Sequence, residues 1–123
     1  MVFLEDPIII EQGATFSRQF GYRTQAGPAA PVLPVDLTGC ILRLQVRERI
    51  DSPDILLELT SANGGIVLID AVAGDYALRA SASQTAAMSW RKGLGDLEVE
   101  FPGGEVRRLW RAAFALDPEV TRD

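Results

Sequence analysis

Residues 40–49 read CILRLQVRER, and from position 42 to position 47 apolar and polar side chains alternate without a break. Leu42, Leu44 and Val46 point one way, and the polar side chains between them point the other. Period-two alternation is the pattern of a β-strand with one buried and one exposed face. This stretch therefore predicts a strand whose apolar face contributes to a core.

The rest of the chain repeats this pattern in short segments that end at turn residues. The other predicted strands are residues 8–10, 15–23, 55–60, 66–70, 76–80, 94–101 and 106–116. Turns such as Asn63-Gly64-Gly65 recur every 8–12 residues or so, which is typical of an antiparallel sandwich. We predict an all-β, antiparallel β-sandwich of about seven or eight strands, with residues 1–123 forming one domain.

Three local predictions qualify this pattern. Residues 25–34 carry Pro28 and Pro31 and predict an irregular loop. Residues 83–89 predict one helical turn that begins at Ser83 as N-cap and packs Ala86 and residues 88–90 against the core. In the strand at residues 55–60, the alternation places Ile55, Leu57 and Leu59 inward.

Composition excludes several classes of function. The net charge of −5 argues against binding to nucleic acid or to an anionic membrane. No apolar run is long enough to span a bilayer, and residues 1–4 are followed at once by Glu5 and Asp6, so no secretion signal is expected. Cys40 lies in an apolar strand pattern, which predicts a buried thiol and intracellular assembly.

Residues suited to catalysis are few. The chain has no histidine and one cysteine, which removes the commonest general base and a zinc cluster. Asp96, Glu98 and Glu100 share one face at strand spacing and are interpreted as a solvated sheet surface. The loop aspartates could bind calcium, but turn chemistry explains them better. We predict no catalytic residue, no metal site and no cofactor.

Arginine and proline supply the candidate interface residues. Arg107, Arg108 and Arg111 surround Trp110, and this composition fits either an interface anchor or a cross-strand ladder opposite Glu98 and Glu100. Arg43, Arg47 and Arg49 lie on a predicted solvent face, where the acidic net charge favours a shared edge with a partner chain over phosphate binding. The proline-rich loop and the two termini are expected to reach neighbouring proteins, since they lack predicted strand partners. The predicted interface residues are Arg43, Arg47, Arg107, Arg108, Arg111, Pro28 and Pro31.

The order of segments resembles small proteins of tailed bacteriophages and prophages. The stretches that carry the resemblance are residues 11–16, 35–40, 42–47, 52–53, 57–60, 63–66, 74–76, 85–88, 96–99 and 117–122. The resemblance implies an Ig-like β-sandwich that serves as a virion structural part of the tail, neck or baseplate, with no enzymatic activity. It further implies a homo-oligomer in contact with other virion proteins, including fibres, and assembly in the host cytoplasm.

One position departs from that family pattern. An aromatic residue is expected just before Asp96, where this chain has Leu94-Gly95. We expect Trp90 or Trp110 to fill the corresponding part of the core.

A second function remains open from the residues. A free-standing carbohydrate- or ligand-binding sandwich would need exposed aromatic side chains in a row to stack on sugar faces. Its candidates are Tyr22, Tyr76, Trp90 and Trp110.

Overall fold

Eleven strands and one short helix form the secondary structure of residues 1–122, the part of the chain that the computed structural model describes. The strands are β1 (Val2–Phe3), β2 (Ile8–Glu11), β3 (Phe16–Gly21), β4 (Arg23–Gln25), β5 (Val32–Pro34), β6 (Ile41–Arg47), β7 (Leu57–Thr60), β8 (Ile66–Asp70), β9 (Asp75–Ala80), β10 (Lys92–Glu100) and β11 (Val106–Asp117). The helix α1 spans Ala82–Ala86. The prediction of a mainly β protein is confirmed; β1, β4 and β5, with two or three residues each, raise the strand count above the predicted one.

Two sheets and a separate hairpin organise these strands. The larger sheet has the order β1–β11–β10–β6–β7, and β2 also pairs with β11. The smaller sheet has the order β3–β9–β8, and β4 pairs with β5. Neighbouring strands are antiparallel except that β1 and β2 run parallel to β11. The N-terminal segment therefore has strand partners, contrary to the expectation from sequence.

Alternating side chains from both sheets share one hydrophobic core. Leu42, Leu44 and Val46 of β6 are fully buried, as the alternation predicts. The same holds for Leu97 and Val99 of β10. On β11 the predicted set is buried: Trp110, Ala112, Phe114 and Leu116. Burial of apolar side chains is the dominant favourable term in folding, so these strands fix the arrangement of the larger sheet.

An aromatic cluster joins the two sheets. The indole of Trp110 on β11 donates a 3.0 Å hydrogen bond to the hydroxyl of Tyr76 on β9. Phe20 of β3 stacks on both rings, with centroid distances of 5.1 Å to Trp110 and 5.6 Å to Tyr76. Burial raises the pKa of Tyr76 to about 12. Since the tyrosine and the tryptophan are both buried, neither is available to stack on a ligand.

The helix lies where it was predicted but begins earlier. Ser81, not Ser83, is the N-cap, and the side chain of Gln84 completes a capping box with it. Ala86 is exposed, whereas Thr85 is fully buried. The Thr85 hydroxyl donates to the carbonyl of Ala14 and accepts from the N–H of Gly13. The predicted apolar contact at this end is therefore partly a polar one.

Three further expectations have clear outcomes. Residues 25–34 are not wholly irregular, because β4 and β5 form a hairpin there. Ile55 is exposed and precedes β7, so its predicted inward position is wrong. Cys40 is buried as predicted, and burial raises the pKa of its thiol, which favours the unreactive protonated form.

One side chain occupies two backbone groups at the β7 edge of the larger sheet. At edge strand β7, the Asn63 amide oxygen accepts from the N–H of Thr60 at 2.8 Å, and its nitrogen donates to the carbonyl of Glu58 at 3.0 Å. Asn63 thus occupies backbone groups that a neighbouring strand would otherwise pair with. Such protection discourages edge-to-edge association.

Candidate interaction surface

The side chains of the larger sheet that point away from the core form a charged surface, here called the outer face. The strand registers place Arg111, Asp96, Gln45 and Glu58 in one row across four strands. They place Arg108, Glu98 and Arg43 in the next row. Four of the five predicted interface arginines, including Arg47 at the end of β6, therefore lie on this face.

A β-bulge in β11 decides which arginines share the outer face. Leu97 pairs with Trp110, but Glu98 pairs with Arg108, so Leu109 is an extra residue in the ladder. Without the bulge, Arg108 would share the inward side with Trp110, because side chains alternate along a strand. The bulge brings Arg108 to the same side as Arg111. Period-two reading of the sequence could not show this reversal.

Arg107 is separated from the other arginines by the same bulge. It pairs in register with Val99, whose side chain faces the core. Its guanidinium lies 5.3 Å from the ring centroid of Phe101 and donates to the carboxylate of Glu105. Arg107 thus belongs to the end of the sheet and not to the outer face.

Ion pairs cross the outer face between neighbouring strands. Arg111 binds both carboxylate oxygens of Asp96, with 2.9 Å between Nη2 and Oδ2. Arg43 lies 3.3 Å from Glu98, and Arg108 lies 4.0 Å from Asp96. A cross-strand ladder is present, but its carboxylates differ from the predicted ones: Arg108 and Arg111 pair with Asp96, whereas Glu98 pairs with Arg43 of β6. The hydrogen bonds from Arg111 hold the pKa of Asp96 below its usual value.

Arg47, at the edge of the outer face, holds a loop in place through hydrogen bonds. Its guanidinium donates 2.9 Å hydrogen bonds to the carbonyls of Ser52 and Pro53 and a 3.0 Å bond to the Gln45 side chain. Those carbonyls belong to the loop that joins β6 to β7. Arg47 therefore fixes this loop, which overhangs the outer face at Ile50.

Two adjoining grooves lie on the outer face. The polar groove, of about 440 Å³, contains Arg43, Arg111, Asp96 and Glu98. The apolar groove, of about 710 Å³, is lined by Pro7, Ile50, Leu94, Ala113, Phe114 and Ala115, with charged side chains at its rim. Three residues, Arg49, Ile50 and Leu94, line both grooves. The sequence reading missed Ile50, Leu94 and Ala113, because an isolated exposed apolar residue is ordinary and only their grouping is informative.

Pro28 and Pro31 lie far from these grooves, at the tip of the β4–β5 hairpin. Both are exposed. Their predicted contact with a partner stays a prediction, and they belong to an ordered hairpin rather than to an irregular loop. The structure does not bring them together with the arginines of the outer face.

Three other features bear on function: possible metal-binding clusters, possible membrane-spanning helices and the side chain of Trp90. Among residues 1–122, no three or more histidine, cysteine, aspartate or glutamate side chains come together as a set that could hold a metal ion. Within the same residues, no helix has the length and apolar character needed to cross a membrane. Trp90 is partly buried, and its indole N–H is buried without an acceptor in the described part of the chain.

Comparison of the sequence with protein-family models and with curated proteins gives no match.

Replacing Asp96 with asparagine tests the ion pair that organises the outer face. We expect the variant to lose about 0.5–1 kcal/mol of unfolding free energy at pH 7, a small value because solvent screens the partly exposed pair. The pKa of Asp96 is lowered in the folded state, so this stabilisation is present above the ordinary carboxyl pKa and is lost as pH falls through the lowered value. Urea denaturation of both proteins at several pH values checks this. Equal stability differences at neutral and strongly acidic pH would contradict it.

Proposed function

We propose that the protein is a non-enzymatic structural or adaptor component of a tailed-phage particle that acts through contacts with neighbouring tail, neck, baseplate or fibre proteins. That the protein belongs to a phage particle is inferred from the sequence resemblance alone. The observation that carries the contact function is the outer face, where exposed arginines lie beside an apolar groove. Arginine together with apolar surface is the composition of protein interfaces.

The strand order supports the Ig-like architecture that this proposal includes. In an Ig-type fold, one sheet consists of three neighbouring antiparallel strands, and two of them are the last two strands of the chain. Variable-type domains add a further strand at the edge of this sheet. The order β11–β10–β6–β7 opposite β3–β9–β8 fits this arrangement. The helix α1 lies in the connection from β9 of the smaller sheet to β10 of the larger sheet, which also fits this architecture. In this reading the outer face is the exposed side of the larger Ig-type sheet.

The charges of the outer face suit a contact with specificity. The side chains of Arg43 and Arg108 remain 51% and 54% exposed, so each keeps donors that a partner can use. Each also has a carboxylate neighbour, which reduces the cost of removing the charges from water. A partner surface that presents carboxylates would complete the set, and mismatched charge would exclude other partners.

The test is binding to the proteins encoded beside this one in its genome. Each candidate is co-expressed with the protein, and the mixture is analysed by size-exclusion chromatography with light scattering. We expect one tail or fibre candidate to co-elute and the double variant Arg43→Glu/Arg108→Glu to lose at least tenfold in affinity, since rim charge pairs and their desolvated neighbours act together. The matched control is Arg79→Glu/Arg91→Glu, which changes two exposed arginines elsewhere. Failure of every candidate to bind, or equal loss in both variants, would contradict the proposal.

The alternative is a free-standing carbohydrate- or ligand-binding module. One observation favours it, namely that Trp90, which is partly buried, lines a surface groove of about 570 Å³. An aromatic side chain in a groove could contact the face of a sugar ring. Glycan-array binding that disappears in Trp90→Ala, with the fold retained by circular dichroism, would support this function over the first.

A further inference from the structure

The β4–β5 hairpin is a projection that is uncharged beyond its base, where Arg23 pairs with Asp75. Residues 24–35 contain no charged side chain, in a chain that is 24% charged. Every residue of β4 and β5 is exposed, and the strands pair with each other rather than with either sheet. Val32 and Leu33 are 58% and 56% exposed. An apolar projection of this kind gains free energy only when another surface covers it.

The tip of the hairpin is held in one conformation by its own contacts. The Gln25 side-chain amide donates to the carbonyls of Pro28 and Ala30, at 3.3 and 2.8 Å. The N–H of Ala30 donates to the carbonyl of Gly27 at 3.0 Å. Prolines at both ends of the tip restrict the backbone further. A segment ordered before it binds loses little conformational entropy on docking.

The apolar groove lies at the opposite end of the molecule. The hairpin joins the end of β3 to the start of β6, the end that also carries Glu100 and the turn into β11. The groove lies where β6 ends and β10 begins, around Ile50 and Leu94. Ile50 is 69% exposed at its margin. One chain therefore carries an apolar projection at one end and an apolar concavity at the other.

We infer that the tip of the β4–β5 hairpin docks into the apolar groove of a second copy of this chain. The inference rests on the proposed contact function and names one partner. Its electrostatic basis is that copies of a chain with net charge −5 repel one another, so self-association favours surfaces without net charge. Residues 24–35 of the hairpin carry no charge, and Arg23 at its base is paired with Asp75 at 2.8 Å. The charged rim of the groove balances Arg49 and Lys92 against Glu48 and Asp51.

This contact is head-to-tail, because two different patches meet. Such contacts close into a ring or continue as a filament. The twelve residues from Arg23 to Pro34 are fewer than the roughly 20–30 residues per side of a standard interface. A single contact is therefore weak, and assembly depends on concentration until a ring closes and adds the effect of multivalency.

Sedimentation of paired variants tests this geometry. Ala29→Glu places a charge on the hairpin tip, and Ala113→Glu places one in the groove. We expect the unchanged protein to form species larger than a dimer at concentrations up to about 1 mM, and each variant alone to be monomeric. An equimolar mixture should contain heterodimers but nothing larger. The intact hairpin of Ala113→Glu can dock into the intact groove of Ala29→Glu, and no further intact pair of surfaces is left in that dimer. The matched control is Ala86→Glu, an exposed alanine on α1, which should assemble like the unchanged protein.

Several results would overturn the inference. These are a strictly monomeric unchanged protein over that range, variants that assemble normally, or a mixture that stays monomeric while circular dichroism shows both variants folded. The proposed adaptor function is judged separately by the binding of other proteins. A monomer that still binds a tail or fibre protein removes the self-contact and leaves the adaptor function intact.

Discussion

Replacing Trp110 with alanine is expected to lower the unfolding free energy by about 3–5 kcal/mol, the usual cost of deleting a buried aromatic side chain. A domain of this kind has about 5–15 kcal/mol of stability in total. The substitution therefore removes a large fraction of it. Urea denaturation followed by circular dichroism at 220 nm or so measures the loss without relying on tryptophan fluorescence.

The position of Trp110 between the two sheets explains the size of this effect. The indole contacts Phe20 and donates to Tyr76, both in the smaller sheet, and stacks on Phe114 with 6.5 Å between centroids. Alanine would leave a cavity between the layers and a buried tyrosine hydroxyl without its donor. Unpartnered buried polar groups add about 1–3 kcal/mol to the cost of a cavity.

The second tryptophan supplies the matched control. Trp90 is partly buried and has no hydrogen-bond partner among residues 1–122. Trp90→Ala should cost clearly less than Trp110→Ala, since less packing and no hydrogen bond is lost. If both variants lose the same stability, Trp110 does not join the layers in the way its contacts indicate.

Much of the core could be predicted from the sequence, because side-chain alternation reports burial directly. Residues 42–47 show this best, since both faces of β6 follow the pattern. Ile55 shows the limit of the method, because alternation continues past the point at which a strand begins. The β4–β5 hairpin was missed for a related reason. Prolines argue against a central strand, but a two-stranded hairpin outside both sheets leaves room for them.

The candidate surface was predictable in its residue types but not in its geometry. Four of the five chosen arginines lie on the outer face, yet the bulge at Leu109 removes Arg107 from it. The bulge adds one residue to β11, and no residue type in this part of the sequence marks its position. The groove was also invisible in the sequence, because it depends on the loop that Arg47 holds over the sheet.

At Gly95 of β10, which has no side chain, the core is filled by the ring of Phe114 from the neighbouring strand β11. A β-carbon added there would lie 2.7 Å from Cε1 of Phe114 and 3.1 Å from Cγ2 of Val46. The expected compensation by Trp90 or Trp110 is therefore not what the packing shows; the ring of Phe114 lies against the glycine. Phe114 is almost fully buried in a close-packed core, so added atoms at residue 95 would overlap its ring.

Gly95→Val is accordingly expected to lower the unfolding free energy by about 2–3 kcal/mol through overpacking. Phe114→Ala alone should cost about 3–5 kcal/mol by leaving a cavity. In the double variant the valine fills part of that cavity, so the combined loss should fall short of the sum by about 1–3 kcal/mol. The control is Gly103→Val, where an added β-carbon meets nothing within 4 Å and the change should be small. Strict additivity of the two core variants would mean that the Phe114 ring does not occupy the space above Gly95.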